Sequence, residues 1–129
     1  MDAKDLRGIA LFEGLTGHDL DRIARWADDV DLPAGTPLLR DGNFPHEFFV
    51  LLAGQAEVRR GDDVLATLGP GDFFGEIAII EDGRRTASVV TASPVRVAVM
   101  LPRDFDEMRV QMPAVAEKIE RAARERLGR

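Results

Sequence analysis

A mainly β domain with flanking helices, in the order helix, β-roll, helix, is the fold class that this sequence predicts. Two patterns carry the prediction. Apolar residues recur at three- and four-residue spacing towards the two ends of the chain, and between them short β-prone runs alternate with Gly, Pro and Asp turns. Composition bounds it further: 129 residues, 45% hydrophobic and 31% charged, suit one globular domain, 1–129, with a core of its own.

Residues 1–30 read as a helical flank. Leu20, Ile23, Ala24, Ala27 and Val30 form one apolar stripe behind Thr16, with Asp19 placed as in a capping box. Ahead of it, Ile9 to Leu15 reads as a tight turn docked on the core. The β-roll occupies 31–101. Leu38-Leu39-Arg40, Glu47 to Ala53, Gln55 to Arg60, Val64 to Leu68, Thr86 to Ala92 and Val95 to Leu101 are strand-length, and Pro33-Ala34-Gly35, Asp41-Gly42, Gly54, Gly61-Asp62, Gly69-Pro70-Gly71 and Ser93-Pro94 break them. Such spacing predicts a sandwich or barrel. From 102 to 129 helical spacing returns, through Phe105, Met108 and Val110, then from Pro113 through Val115, Ile119, Ala122 and Ala123. Trp26 reads as a partly covered anchor; Phe44, Phe48, Phe49, Phe73 and Phe74 read as core or rim; Met108 and Met112 hold the last helices on the roll.

Several function classes are excluded at this level. Asp and Glu outnumber Lys and Arg by 23 to 17, a net charge of -6, so the basic footprint of a nucleic-acid binder is missing. Without cysteine there is no disulfide and no thiolate chemistry, which fits a cytoplasmic setting. Only His18 and His46 could supply imidazole, and neither is flanked by metal-type ligands, so no metal site and no metal-dependent enzyme on a similar roll is expected. Asp28-Asp29, Asp62-Asp63 and Glu81-Asp82 read as solvated turns, and no nucleophile has a base beside it, so no catalytic residue is expected. No segment approaches the roughly 18 apolar residues of a membrane span, and no membrane contact by this chain is expected.

One stretch inside the β region, Gly69 to Ala87, does not read as strand. It opens on a Pro-Gly turn; Gly75 permits a sharp bend and close approach of a ligand to the main chain; Glu76 to Ile80 has the composition of one helical turn. Free N-H groups opening beside a glycine favour an anion. Arg85, nine residues beyond Glu76, can grip two phosphate oxygens, whereas Glu76 is an acceptor suited to a sugar hydroxyl. Sugar and phosphate together point to a nucleotide. The same pair could instead form a surface salt bridge worth about 0 to 1 kcal/mol, Arg84 could be a solvated turn residue, and Thr86 could merely suit a strand.

Phe74-Gly75-Glu76-Ile77-Ala78 followed by Arg85-Thr86-Ala87 resembles the phosphate-binding cassette, here 74–87, of the cyclic nucleotide-binding domain family. Leu11 to Leu15, Pro33-Ala34-Gly35, Arg40-Asp41-Gly42 and Leu52 to Val58 resemble that family's N-terminal turn and first strands, so the resemblance spans nearly the whole chain. It implies an antiparallel, jelly-roll-like β-roll of about eight strands with an N-terminal helical segment and two C-terminal helices. It also implies roles: Glu76 accepts from the ribose 2′-hydroxyl, Arg85 neutralises the cyclic phosphate, and main-chain N-H groups around Gly75, Ile77, Ala78, Thr86 and Ala87 complete the cradle. Thr86 resembles the threonine that favours cyclic GMP in some members, yet many bacterial-type domains with a hydroxyl there bind cyclic AMP, which is therefore placed ahead.

Val115, Ile119, Ala122 and Arg126 fall on one helical face, so Arg126 continues the apolar stripe. Arg126 and Arg129 also suit a helix C-terminus through its dipole. Arg126-Leu127-Gly128-Arg129 resembles the end of the lid helix in cyclic nucleotide-regulated channels, which implies Arg126 as a base cap and a lid helix from Pro113 to Leu127 above a hinge. The expected partner is a cyclic purine nucleotide, with no further cofactor. The expected output is movement of the lid on an attached or partner protein such as an ion channel at the cytoplasmic face of a membrane, with any homo-oligomer formed through that parent. The alternative is an interaction module of the same fold without ligand. Fewer than 20 residues follow Pro113 and the last helix uses them, so no helix-turn-helix is expected.

Overall fold

The apolar run Phe48-Phe49-Val50-Leu51 does not alternate with polar residues, as a strand with one wet face would. The computed structural model, which describes residues 1–39, 47–75 and 87–126, shows why. Eight strands are described: β1 (Asp28–Leu32), β2 (Pro37–Leu39), β3 (Phe48–Ala53), β4 (Ala56–Arg60), β5 (Asp63–Leu68), β6 (Phe73–Phe74), β7 (Ser88–Thr91) and β8 (Val95–Met100). The described helices are α1 (Gly17–Trp26), α2 (Pro102–Gln111) and α3 (Pro113–Arg126), with two short 3-10 turns at Ala3–Leu6 and Ala10–Phe12. Two antiparallel four-stranded sheets form, in the orders β1-β8-β3-β6 and β2-β7-β4-β5. The fold is the expected antiparallel roll with helices at both ends. The Arg40-Asp41-Gly42 turn, Phe44, His46 and Leu127-Gly128-Arg129 lie outside the described residues.

Strand β3 is buried on both faces. Phe48 and Val50 point to the helices, where they meet Ile23, Phe105, Met108 and Ile119 in one core; Phe49 and Leu51 point to the second sheet and meet Leu68, Phe74, Val89 and Val97 in another. Strand β8 divides in the same way, Ala98 and Met100 to the helices and Val95 and Val97 between the sheets. Gly54 ends β3 at φ +86, where a Cβ would meet the Pro94 carbonyl oxygen at 2.3 Å, so this turn packs too closely for any side chain. On the far side, the buried Thr91 hydroxyl donates to the Pro33 carbonyl at 2.8 Å and accepts from Thr36 N-H at 2.8 Å, tying the Pro33-Ala34-Gly35 turn to β7.

Helix α1 starts as its sequence predicts: Thr16 Oγ1 accepts from Asp19 N-H at 3.1 Å, and Asp19 Oδ2 from Thr16 N-H at 3.3 Å. It ends earlier than the stripe through Val30 suggests. From Asp28 the chain pairs with β8, Val30 opposite Val97, because alternation of Asp28, Asp29 and Asp31 with Val30 and Leu32 gives a strand one face for the inter-sheet core. The 1–30 helical flank thus gives way to β1 at its last residues. A second correction lies in Gly69 to Ala87, where Phe73 and Phe74 do form a strand, paired with Val50 and Phe49. A third concerns the C-terminal stripes. Val110 is 77% exposed while Met112 is buried at the α2 to α3 elbow, and Ala123 rather than Ala122 is buried on α3. Trp26 is the expected half-covered anchor, with the Arg22 guanidinium 5.6 Å from its ring centroid.

Arg96 on β8 fastens the N-terminal turn to the sheet. Its Nη2 donates to Asp5 at 2.7 Å and its Nε to Asp29 at 2.8 Å, Asp29 standing diagonally opposite on β1. The hydrogen bond from Arg96 is the main cause that holds the Asp29 carboxyl below its ordinary value.

Two predictions follow from this packing. Ile119→Ala should cost about 2 to 5 kcal/mol of stability in urea titration, whereas Val110→Ala should stay within about 0.5 kcal/mol. For Asp29, whose folded pKa lies below the ordinary 3.8, the pair's contribution is fully present above that value and is lost as pH falls through the lowered one. Asp29→Asn should therefore lower the melting temperature at neutral pH and lose that deficit on acidification; a deficit that does not change with pH would contradict the pairing.

Candidate functional site

The predicted segment begins where β6 leaves the first sheet. The turn before it is closed by Asp72, whose carboxylate accepts from Gly69 N-H at 2.8 Å while its own N-H donates to the Gly69 carbonyl at 3.0 Å. The ladder to β3 then runs through Leu51, which accepts from Gly71 N-H at 2.7 Å and donates to the Asp72 carbonyl at 2.8 Å. This register sends Phe74 inward, where it stacks on Phe49 with centroids 5.0 Å apart, and leaves Phe73 half-buried on the helix side. Gly75 follows, buried and at φ +99, a conformation that a residue with a Cβ rarely adopts. The backbone bend expected at Gly75 is therefore present.

At its other end the segment rejoins the second sheet. Ala87 is half-buried immediately before β7, and Ser88 pairs with Arg59 of β4. The chain thus leaves one sheet at Gly75 and enters the other at Ala87, with both ends anchored in hydrogen-bonded strands. Glu76, Ile77, Ala78, Arg85 and Thr86 lie outside the described residues.

Arg126 ends α3 and reaches this region from the opposite side. Its Nη2 donates to the Phe73 carbonyl at 2.6 Å, and its guanidinium carbon lies 5.1 Å from the Phe73 ring centroid. The structure therefore brings Arg126 to the strand that leads into Gly75. Farther back on α3, Lys118 Nζ donates to the Ala10 carbonyl at 3.0 Å, tying the helix to the second 3-10 turn. A groove of about 390 Å³ lies between them, lined by Leu11, Glu13, Phe73, Lys118, Arg121 and Glu125 among others. A larger groove of about 660 Å³ lies between the two 3-10 turns and α1, away from Gly75. Phe73 takes the rim place expected of it, half-buried against the helix-side core, and in addition meets Arg126. Among the described residues no group of three His, Asp or Glu is placed to hold a metal ion, and no helix is long and apolar enough to cross a membrane.

Comparison with known proteins is consistent over most of the chain. The family model described as the cyclic nucleotide-binding domain matches residues 29–111. The cAMP-dependent protein kinase regulatory subunit of Neurospora crassa is 36% identical over 105 residues, which is 80% of this chain and 27% of that protein. A cyclic nucleotide-gated potassium channel of Rhizobium etli is 32% identical over 120 residues, 93% of this chain and 34% of the channel. The chain spans about a quarter of the length of kinase regulatory subunits such as that of Neurospora crassa. Among solved structures, the Thermus thermophilus catabolite activator protein superposes with a TM-score of 0.80 at 25% identity, covering 91% of this chain and 57% of that one. The regulatory domain of Toxoplasma gondii PKA with cAMP has the same fold, at a TM-score of 0.82 and 21% identity, over 95% of this chain and 48% of that one.

The left-handed backbone at Gly75 gives a direct test. Gly75→Ala should cost about 1 to 3 kcal/mol in thermal or urea denaturation, whereas Gly69→Ala, at a position with open space and ordinary backbone, should be close to neutral. Equal effects at the two glycines would contradict a strained bend at the start of the segment.

Proposed function

The chain belongs to the cyclic nucleotide-binding domain family, and from that premise we propose that it is a sensor whose segment 75–87 holds a cyclic purine nucleotide, cyclic AMP ahead of cyclic GMP. One observation carries the reading. The family match over 29–111 includes both anchored ends of the segment, and at its first end Gly75 adopts the bend that lets a ligand approach the main chain. Relatives and neighbours whose names carry cAMP support the order of the two nucleotides.

In this mechanism Arg85 neutralises the phosphate with a charge-assisted, two-pronged contact, and main-chain N-H groups around Gly75, Ile77, Ala78, Thr86 and Ala87 complete the cradle. Glu76 accepts from the ribose hydroxyl. Arg126 approaches the base from α3, and the movement of α3 about the Met112-Pro113 elbow is the output. The ligand shifts the balance between two positions of that helix by no more than its differential affinity for them. The effector is an attached or partner protein. An ion channel is one such effector, and the Rhizobium etli relative supports it; the kinase regulatory subunits supply another.

Calorimetric titration with cyclic AMP and cyclic GMP tests the proposal. Saturable binding is expected for the wild type, and Arg85→Leu should lose about 2 to 5 kcal/mol of it. Absence of heat with either nucleotide, with no rise in melting temperature at high ligand, would leave only an interaction module of this fold.

A further inference from the structure

Phe73 stands outside the residues that hold the ligand in the proposal above, yet it makes two contacts to the same guanidinium. Its carbonyl accepts from Arg126 Nη2 at 2.6 Å, and its ring faces the guanidinium carbon at 5.1 Å. These contacts are chemically distinct, one directed along an N-H bond and one to the π face, and together they fix the position of the group. The seat itself is held firmly. The Phe73 ring lies 5.8 Å from Phe48, which is fully buried and 4.5 Å from Phe105, and Phe73 pairs with Val50 in the first sheet. Arg126, by contrast, is an exposed side chain on the last described turn of a helix.

We propose that Phe73 is a positioning residue for nucleotide binding. It holds Arg126 two residues ahead of Gly75 in one of the two positions of α3, so that in this position the guanidinium is already oriented for the ligand and the end of α3 is tied to the strand that enters the site. This inference rests on the nucleotide-sensor reading and adds the element that orients its lid. It requires arginine: a lysine ammonium is a single point charge and lacks the fork that lets one nitrogen reach the carbonyl while the rest of the group lies over the ring.

The test combines a double-mutant cycle on cyclic AMP affinity with amide hydrogen exchange of residues 122–126 in nucleotide-free protein. Phe73→Leu and Arg126→Ala should each weaken binding about fivefold, and the double variant should be no weaker than Arg126→Ala alone. Phe73→Tyr, which keeps the ring face, should bind like the wild type, and both single variants should speed exchange in the last turn of α3. Losses that multiply in the double variant mean that Phe73 merely packs, and overturn the inference; so does unchanged exchange in both single variants. Should Phe73→Leu fail to fold, Arg126→Lys decides: a loss equal to that of Arg126→Ala supports the two-contact seat, and full retention of affinity overturns it. A wild type that binds no cyclic nucleotide overturns the sensor reading and this role with it, while the exchange measurement still reports whether the Phe73 contact holds α3.

Discussion

The rest of the molecule depends on β3 being buried on both faces. A strand covered by helices on one side and by a second sheet on the other must be apolar at every position, and Phe48 through Leu51 meet that requirement. Each neighbour then inherits its place. Strand β8 lies beside β3 and divides its side chains between the same two cores; β1 covers the far edge of β8; the helices have one sheet face to pack on, and their buried residues converge on Phe48, Val50 and Met100.

The candidate site is a by-product of how the sheet ends. Strand β6 is short and lies at the sheet edge beside β3, so the chain can leave the ladder at Gly75 without giving up a buried hydrogen bond partner. Two consecutive phenylalanines on this strand serve opposite faces. Phe74 anchors the strand between the sheets by stacking on Phe49, and Phe73 faces the helices, where Arg126 meets it. The strand that begins the segment is therefore coupled physically to the last helix.

Local chemistry made some of this legible beforehand. The capping box of Thr16 and Asp19, the glycine bend at 75, the strand-length runs and the buried faces of Phe105, Met108, Val115 and Ile119 all involve residues within a few positions of one another. The misreadings have separate causes. Val30 fits the stripe of α1 in spacing, but it found Val97 across a strand pair; Val110 stands five residues after Phe105 and two after Met108, which turns it away from the face those two bury and out to solvent.

By itself, then, the sequence determined the class of fold, the order of its parts, and the family motif from Phe74 to Ala87, because each is written in propensities and spacings that act over a few residues. Tertiary structure decided what depends on a distant partner: whether Asp28 to Leu32 continued a helix or joined β8, whether Phe73 and Phe74 paired as strand, and what Arg126 would touch. Arg96 reaches Asp5 across 91 positions, and Arg126 reaches Phe73 across 53. No local periodicity encodes contacts at such separations; they arise only when the doubly buried sheet brings its edges, its helices and its turns into one place.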